Sequence, residues 1–213
     1  ADTSTWTFTT VGANPLKVLC IGDSITVGYT DNLVGDPFEF GYRSHLYQLL
    51  NNAGYAFQFV GSSTQPWAGS FDLDPTIGGS YKPAFDLRDL GQDFHQGGGG
   101  APIGSVIGWL DLSNPDLILR KIGINSIQTG VPLSTVTDNI TTLVETIVTQ
   151  KPNAHLIVAQ ILPYSGNYVA FPANEAKNQV LHDYNVYIRD TLVPNYAAAG
   201  HKVSTVDMYS MFL

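Results

Sequence analysis

Short apolar runs alternate with longer amphipathic segments along most of this chain. Five runs are too short for helices and are predicted to be strands; they span residues 18–21, 57–61, 117–122, 156–162 and 203–207. The first run is almost wholly apolar, which is typical of a strand buried on both faces. Three segments with apolar residues at helical spacing span residues 43–52, 136–150 and 174–195. Because strands joined by helices pair in parallel, the pattern predicts an α/β fold: a flavodoxin-like, three-layer α/β/α sandwich with five parallel strands.

The composition is that of one well-packed domain spanning residues 1–213. Hydrophobic residues make up 44% of the chain and charged residues only 13%, so a single large core can form. The net charge of -8 at pH 7 argues against nucleic-acid binding, which needs clustered lysine and arginine. No apolar run approaches the roughly 20 residues of a membrane span. The acidic, lysine-poor composition and the polar first residues lead us to expect a secreted protein.

The first apolar run contains the only cysteine, Cys20, and ends abruptly at Gly22-Asp23-Ser24. A buried cysteine at such a position is predicted to be a small core residue. Glycine lets the backbone turn sharply at the end of a strand. The carboxyl ends of parallel strands are also where open α/β sheets bind ligands. Ser24 is therefore expected to face a crevice, although a simple helix-capping role for Asp23 or Ser24 is equally open at this point.

Two further polar segments are predicted to reach the same edge of the sheet. The glycine run 97–100 follows His95 ahead of the third strand, and Asn125 and Ser126 follow that strand directly. Glycine lets a backbone approach a ligand closely, and an asparagine amide can donate hydrogen bonds. A flexible glycine loop and a plain turn asparagine are the alternatives that each segment leaves open.

The region 62–108 is long for a loop and is rich in glycine, proline and aromatic residues, which favours a role in lining a site. It contains several carboxylates of the kind that calcium prefers; they are Asp72, Asp74, Asp86, Asp89 and Asp93. Their spacing matches no EF-hand, so we expect solvated loop carboxylates and predict no metal site. Aromatic residues such as Trp67 and Trp109 could stack on a sugar ring or simply pack within the loops.

Taken together, these motifs resemble the SGNH (GDSL-type) hydrolases over residues 16–212. The stretch Gly-Asp-Ser-Ile-Thr-Val-Gly at 22–28 is a close match to the first sequence block of that family. The glycine run, followed by Trp109 and Asn-Pro-Asp at 114–116, looks most like carbohydrate esterase family 3, which includes acetylxylan esterases. The resemblance implies a serine esterase without a cofactor that cleaves small acyl esters, with an acetylated carbohydrate such as acetylated xylan as the expected substrate.

The resemblance also assigns roles to individual residues. Ser24 matches the nucleophile of the family, and its backbone N–H would be one donor to the oxyanion. Gly100 is the best match for the glycine whose N–H is the second donor, with Gly97 or Gly99 as alternatives if the register differs. Asn125 matches the asparagine whose side-chain amide is the third donor. Such donors stabilise the charge that develops on the carbonyl oxygen, at about 3 kcal/mol of barrier each.

Four residues near these motifs are expected to contact or shape the substrate site, namely Asp23, His95, Gly97 and Trp109. Asp23 is adjacent to the serine in sequence, and His95 begins the glycine-rich segment. We expect His95 to shape the pocket or contact the substrate. A Ser24–His95 dyad is a weaker alternative. It stays open because His95 is the only histidine predicted to lie at the correct edge of the sheet.

The chain departs from the family pattern at two points. Ser126 stands where the family usually has an aspartate after the asparagine, which makes the placement of Asn125 less certain. The family takes its acid and base from an Asp-x-x-His block after the last strand, and no such block follows residues 206–209 here. A serine without a base is a weak nucleophile. We therefore expect a chain that lacks this C-terminal block, either a truncated esterase or a fragment; the alternative is a catalytically silent, glycan-binding relative.

Overall fold

The computed structural model describes residues 14–28, 40–64, 87, 90–106, 110, 113–164 and 175–210. Its strands, numbered in chain order, are β1 (Leu16–Gly22), β2 (Phe57–Val60), β3 (Gln96–Gly97), β4 (Leu117–Lys121), β5 (His155–Ala159) and β6 (Val203–Val206). Its helices are α1 (Ser24–Val27), α2 (Tyr42–Asn52), α3 (Ile103–Val106), α4 (Ile124–Gln128), α5 (Leu133–Gln150), α6 (Glu175–Tyr187) and α7 (Val193–Ala198).

The strands form one parallel sheet in the order β2-β1-β4-β5-β6. All five predicted strands are present, which confirms the predicted α/β architecture. The sheet has one addition, the two-residue strand β3, which the sequence analysis had left within the glycine-rich loop. It pairs with the last residues of β1, Ile21 opposite Gln96 and Gly22 opposite Gly97. β1 is therefore bonded along its whole length and its carboxyl end lies inside the sheet.

The sheet is covered on both faces. Successive side chains of β1 point to opposite faces and pack into two different cores. Leu19 and Ile21 pack into a core with α3, α5 and α6, whereas Val18 and Cys20 pack into a second core with α2 and β2. All four side chains are completely buried. Cys20 is a free thiol inside the second core, which confirms the prediction of a small core residue. Burial raises the pKa of this thiol to about 11, so it stays protonated and inert.

The helices follow the predicted positions with small shifts. α5 begins at Leu133, three residues before the predicted start, and buries the apolar face that its spacing predicted. The segment predicted as one helix over 174–195 is α6 and α7 joined by a widened turn, Ile188–Leu192. Pro194 follows that turn and has no N–H to donate to an earlier carbonyl, which is a common cause of such widening. Within the described ranges no helix is long and apolar enough to cross a membrane.

The end of β1 gives a test of this packing. An added Cβ at Gly22 would collide with the carbonyl oxygen of Lys121 and with Oγ1 of Thr26. Gly22→Ala is expected to lower the free energy of unfolding by about 1–3 kcal/mol, the usual cost of overpacking. Gly104→Ala in α3 is the control, because the nearest atom to its added Cβ is Nδ2 of Asn139 at 3.8 Å. Urea unfolding of both variants should show loss only for Gly22→Ala; equal losses would contradict the packing described here.

Candidate active site

Ser24 is the first residue of α1 and follows directly on the end of β1. Asp23 caps this short helix, since its Oδ1 accepts a hydrogen bond from the N–H of Ile25 at 3.0 Å. Gly28 ends it in a left-handed conformation, and its N–H donates to the carbonyl oxygen of Ser24. Asp23 is completely buried while Ser24 is half-buried. The backbone N–H of Ser24, at the first helical position, has no acceptor within its own helix.

The opposite end of α1 is held by a buried arginine. Arg43, in the first turn of α2, donates from Nε to the carbonyl oxygen of Thr26 at 2.9 Å and from Nη2 to that of Val27 at 3.1 Å. Its Nη1 donates to the carbonyl oxygen of Asp93 at 2.7 Å. The last carbonyls of a helix have no intrahelical donor, so this guanidinium satisfies them and ties α1 to the segment before β3.

A buried ion pair lies at the start of α1. Lys121, the last residue of β4, pairs in register with Gly22 of β1. Its Nζ lies 3.6 Å from Oδ2 of Asp23, and both side chains are almost fully excluded from solvent. Burial lowers the pKa of Lys121, and the Asp23 carboxylate opposes that shift. The carboxylate of this pair thus belongs to the residue directly before Ser24.

The glycine-rich segment is bonded directly to the end of β1. Gly98 donates from its N–H to the carbonyl oxygen of Gly22 at 3.0 Å. Gly97 lies so close to α1 that an added Cβ would come within 3.0 Å of the backbone nitrogen of Val27. Only glycine fits at this contact. The close approach places the segment beside Ser24, which the sequence could suggest but not establish.

Asn125 is bonded to the residue that follows Gly100. Gly100 is exposed, has φ +68, and has nothing within 4 Å of an added Cβ. The side-chain amide of Asn125 donates to the carbonyl oxygen of Ala101 at 3.2 Å. The structure therefore brings together the end of β1, the glycine loop and the turn after β4. The N–H groups of Gly97 and Gly98 have acceptors within the chain, which favours Gly100 over Gly97 as a donor to a ligand.

Ser126, which replaces the usual aspartate, is buried and supports the same loop. Its Oγ accepts a hydrogen bond from the N–H of Ile103 at 3.3 Å. The turn is held from the other side by Tyr164, whose hydroxyl donates to the carbonyl oxygen of Ile124 at 3.2 Å. Asn125 is therefore held on both sides, and the serine supplies a link between the turn and the glycine loop.

His95 has a supporting position under the glycine loop. It is 1% exposed, and its Nδ1 accepts a hydrogen bond from the N–H of Gly97 at 2.9 Å. Its backbone forms an isolated bridge with Ser63. Burial, and to a lesser degree the charge of Arg43, lower the pKa of His95 to about 3, so the ring is neutral at pH 7. Within the described residues its Nε2 has no partner, and contact of His95 with substrate or with Ser24 stays a prediction.

The other four histidines lie on other parts of the fold. His155 is the first residue of β5 and His201 precedes β6, so both are at the amino edge of the sheet, as predicted. His45 is exposed on α2. His182 is exposed on α6, and its ring lies 6.1 Å from that of Tyr209. β4 and β5 lie between β1 and β6, so these two strands are about 14 Å apart at the usual strand spacing.

Asp207, at the carboxyl end of β6, caps the turn that follows it. Its Oδ1 accepts from the N–H groups of Tyr209 and Ser210, and its Oδ2 accepts from the hydroxyl of Ser210. These hydrogen bonds lower the pKa of Asp207. All three acceptor contacts of the carboxylate thus lie within this turn.

Some predicted residues lie outside the described ranges. They include Trp109, Trp67 and four of the five loop carboxylates; the fifth, Asp93, is described and buried. Among the described residues no group of three or more histidine, cysteine, aspartate or glutamate side chains could hold a metal ion. Because Trp109 lies outside the described ranges, its expected contact with substrate stays a prediction.

The sequence analysis missed the two buried cations that flank α1. Arg43 was assigned to a helix without a role, and Lys121 was counted within an apolar strand. Lys121 interrupts the apolar run 117–122 at its carboxyl end, and a lysine at such a position is almost never fully buried unless it is paired. That feature could have indicated a charged partner at the edge of the sheet.

The arrangement is suited to acyl transfer. A hydroxyl at the start of a short helix lies at the same edge of the sheet as one exposed glycine backbone and one asparagine amide. N–H donors fixed before the reaction starts are the groups that stabilise a tetrahedral oxyanion. The hydroxyl of Ser24 and the potential donor groups come from three separate segments of the chain.

Comparison with known proteins agrees with the α/β fold described above. The sequence profile of the GDSL-like lipase/acylhydrolase family matches residues 20–213. A family 3 carbohydrate esterase from Clostridium thermocellum is 27% identical, covers 92% of this chain and 80% of its own, and has a TM-score of 0.65. A family 3 carbohydrate esterase from Talaromyces cellulolyticus is 21% identical, covers 92% of this chain and 81% of its own, and has a TM-score of 0.60. A mutant acetyl esterase with an acetate ion is 21% identical, covers 93% of this chain and 83% of its own, and has a TM-score of 0.65. No curated protein sequence matches the chain.

The buried histidine predicts a pH-dependent stability. His95 has a pKa of about 3 in the folded chain against a reference of 6.5, so between these values the unfolded chain binds more protons. The free energy of unfolding should therefore fall as the pH falls from 6.5, by up to about 1.4 kcal/mol per pH unit from this group. His95→Asn, whose Oδ1 can accept from Gly97, should lose that slope in urea unfolding at pH 7, 6 and 5. His45→Asn, at an exposed position, should keep it; identical slopes for both variants would contradict the account of His95.

Proposed function

The chain belongs to the GDSL-like lipase/acylhydrolase family and is a carboxylic ester hydrolase; on that premise we propose that Ser24 is the nucleophile and that the substrate is an acetylated carbohydrate. The observation that carries the proposal is the meeting of Ser24, the Gly100 loop and Asn125 at the carboxyl edge of the sheet. The three segments are joined by the hydrogen bond from the N–H of Gly98 to the carbonyl oxygen of Gly22 and by the bond from the Asn125 amide to the carbonyl oxygen of Ala101.

The proposed reaction proceeds in two steps. Oγ of Ser24 attacks the acyl carbonyl carbon, and its proton passes to a base while the carbonyl oxygen becomes an oxyanion. The N–H groups of Ser24 and Gly100 and the amide of Asn125 donate to that oxygen. Collapse of the intermediate releases the alcohol and leaves an acyl-serine. Water then attacks the acyl carbon, and the carboxylic acid leaves with Ser24 restored.

The second N–H of the Asn125 amide is the group proposed to reach the oxyanion. The first donates to the carbonyl oxygen of Ala101, and an asparagine amide carries two donors. The hydrogen bond to Ala101 fixes the plane of the Asn125 amide before substrate binds. A donor fixed in that way needs no reorientation when the charge develops, which is the condition for strong electrostatic stabilisation.

For the general base, the family resemblance implies a histidine of an Asp-x-x-His block; among residues 40–64, 90–106, 113–164 and 175–210 no histidine is hydrogen-bonded to Ser24. His95 is the alternative on the correct edge, but a ring with a pKa of about 3 is a poor proton acceptor at neutral pH.

The choice of an acetylated carbohydrate, such as acetylated xylan, is supported by the similarity to the Clostridium thermocellum family 3 carbohydrate esterase. A polymeric substrate of that kind is found outside cells, so secretion is part of the proposal. The charge of -8 at pH 7 supports the further proposal that the partner is not a nucleic acid.

The first test is hydrolysis of p-nitrophenyl acetate and release of acetate from acetylated xylan. Ser24→Ala is expected to reduce both rates to background, because no other group replaces the nucleophile. Ser134→Ala, an exposed serine on α5, is the matched control and should keep the full rate. Equal rates for Ser24→Ala and the unsubstituted protein would refute the assignment. Absent turnover combined with saturable binding of xylan would favour the silent glycan-binding relative.

Loss of the Asn125 amide should slow the chemical step. Asn125→Ala is expected to lower kcat by about 100- to 1000-fold, which is the usual cost of removing one oxyanion donor. Ser126→Ala is the control, because it removes the link to Ile103 and leaves the amide in place. It should lower stability and affect kcat far less. Similar losses of kcat in both variants would mean that Asn125 acts only by holding the loop.

A further inference from the structure

We propose that Lys121 is a positioning residue for the active site: its ion pair with Asp23 fixes the cap that orients Ser24 and cancels the carboxylate charge beside the place where the oxyanion forms. The inference rests on the proposed function, since it concerns the same serine. It assigns a role to a buried lysine that is neither the proposed nucleophile nor a proposed oxyanion donor.

The geometry makes each member of the pair depend on the other. Nζ of Lys121 and Oδ2 of Asp23 are 3.6 Å apart, and the two side chains are 3% and 0% exposed. Within the described part of the chain neither atom has a hydrogen-bond partner. A buried charge without a partner is strongly disfavoured. The ion pair is therefore the main compensation that either charge has for its removal from water.

Asp23 transmits this constraint to Ser24. One carboxylate oxygen faces Lys121, while the other accepts the N–H of Ile25. The carbonyl oxygen of the same residue accepts the N–H groups of Thr26 and Val27. Ser24 lies between these fixed points, so a rotation of the Asp23 carboxylate would release the cap. The direction of the Ser24 N–H and of its hydroxyl would then change.

Charge gives the pair a second effect on the reaction. The tetrahedral intermediate carries a negative charge at the N–H of Ser24, and the carboxylate of Asp23 lies one residue away. Coulomb interactions are several times stronger in a protein interior than in water. An uncompensated carboxylate at that distance would oppose the oxyanion. The ammonium of Lys121 cancels this field and leaves the N–H donors to act on the developing charge.

Stability alone is a poor explanation for such a pair. Replacing a buried ion pair by neutral groups of similar volume is often neutral or stabilising. A double replacement, Asp23→Asn with Lys121→Met, therefore offers a protein that folds without either charge. Asparagine can still accept the N–H of Ile25, because it is as good a helix cap as aspartate.

The experiment compares steady-state kinetics of four variants with the unsubstituted protein, using p-nitrophenyl acetate as the substrate. Lys121→Met is expected to lower kcat at least 10-fold with KM changed by less than about 2-fold. Lys121→Arg, which keeps the charge, should recover part of kcat. The double variant should return kcat to within about 5-fold of the unsubstituted protein. Lys202→Met, at an exposed lysine that donates to the backbone of Asn153, is the control and should change nothing.

Each other outcome overturns the inference in a recognisable way. An unchanged kcat in Lys121→Met would show that the pair does not act on the reaction. Loss of kcat in both Lys121→Met and the double variant would mean that the ammonium itself acts as base or oxyanion contact. If Lys121→Met fails to fold, Lys121→Gln, which leaves a neutral polar group beside the carboxylate, is measured in its place, and an unchanged kcat there would overturn the inference. A protein whose unsubstituted form turns over no faster than Ser24→Ala instead refutes the proposed function, and the inference falls with it.

Discussion

The backbone contact between the end of β1 and the glycine-rich segment is the constraint on which the rest of the site depends. Gly22 and Gly97 have no room for a Cβ, because the backbone of β4 lies against the first and that of α1 against the second. This absence of side chains lets Gly98 donate to the carbonyl oxygen of Gly22. The loop that carries Gly100 is thereby fixed to the strand that leads into Ser24. A side chain at either glycine would separate the proposed nucleophile from the proposed donor.

Two buried cations hold the short helix that starts with Ser24, one at each end. Arg43 saturates the carbonyl oxygens at the carboxyl end, and Lys121 lies beside the Asp23 cap at the amino end. A helix of one turn has little stability of its own, because nucleation fixes several residues for few hydrogen bonds. The orientation of Ser24 is thus imposed by charged groups from α2 and β4. Burial of such charges is costly, which argues that they are retained for geometry at this edge of the sheet.

The sequence was sufficient for the architecture because short strand-like runs alternate with amphipathic helical segments, a pattern that can be recognised without tertiary context. It was also sufficient to bring Ser24, the glycine run and Asn125 to one edge, since each follows or precedes a predicted strand. It did not reveal β3, because two residues carry no periodicity. It did not reveal the role of His95, because a buried neutral histidine and a ligand-contacting one look alike in sequence. The partners of Lys121 and Arg43 depend on register between distant segments, which local patterns do not encode.

The replacement of the usual aspartate by Ser126 shows how the proposed donors remain coupled. Ser126 binds the N–H of Ile103 on one side of the glycine loop, and Asn125 binds the carbonyl oxygen of Ala101 on the other. Gly100 precedes this doubly anchored stretch. A displacement of the turn after β4 would therefore carry the glycine loop with it, so that the amide and the backbone donor move together. A pair of donors coupled in this way keeps its mutual spacing, and spacing is the quantity that an oxyanion requires.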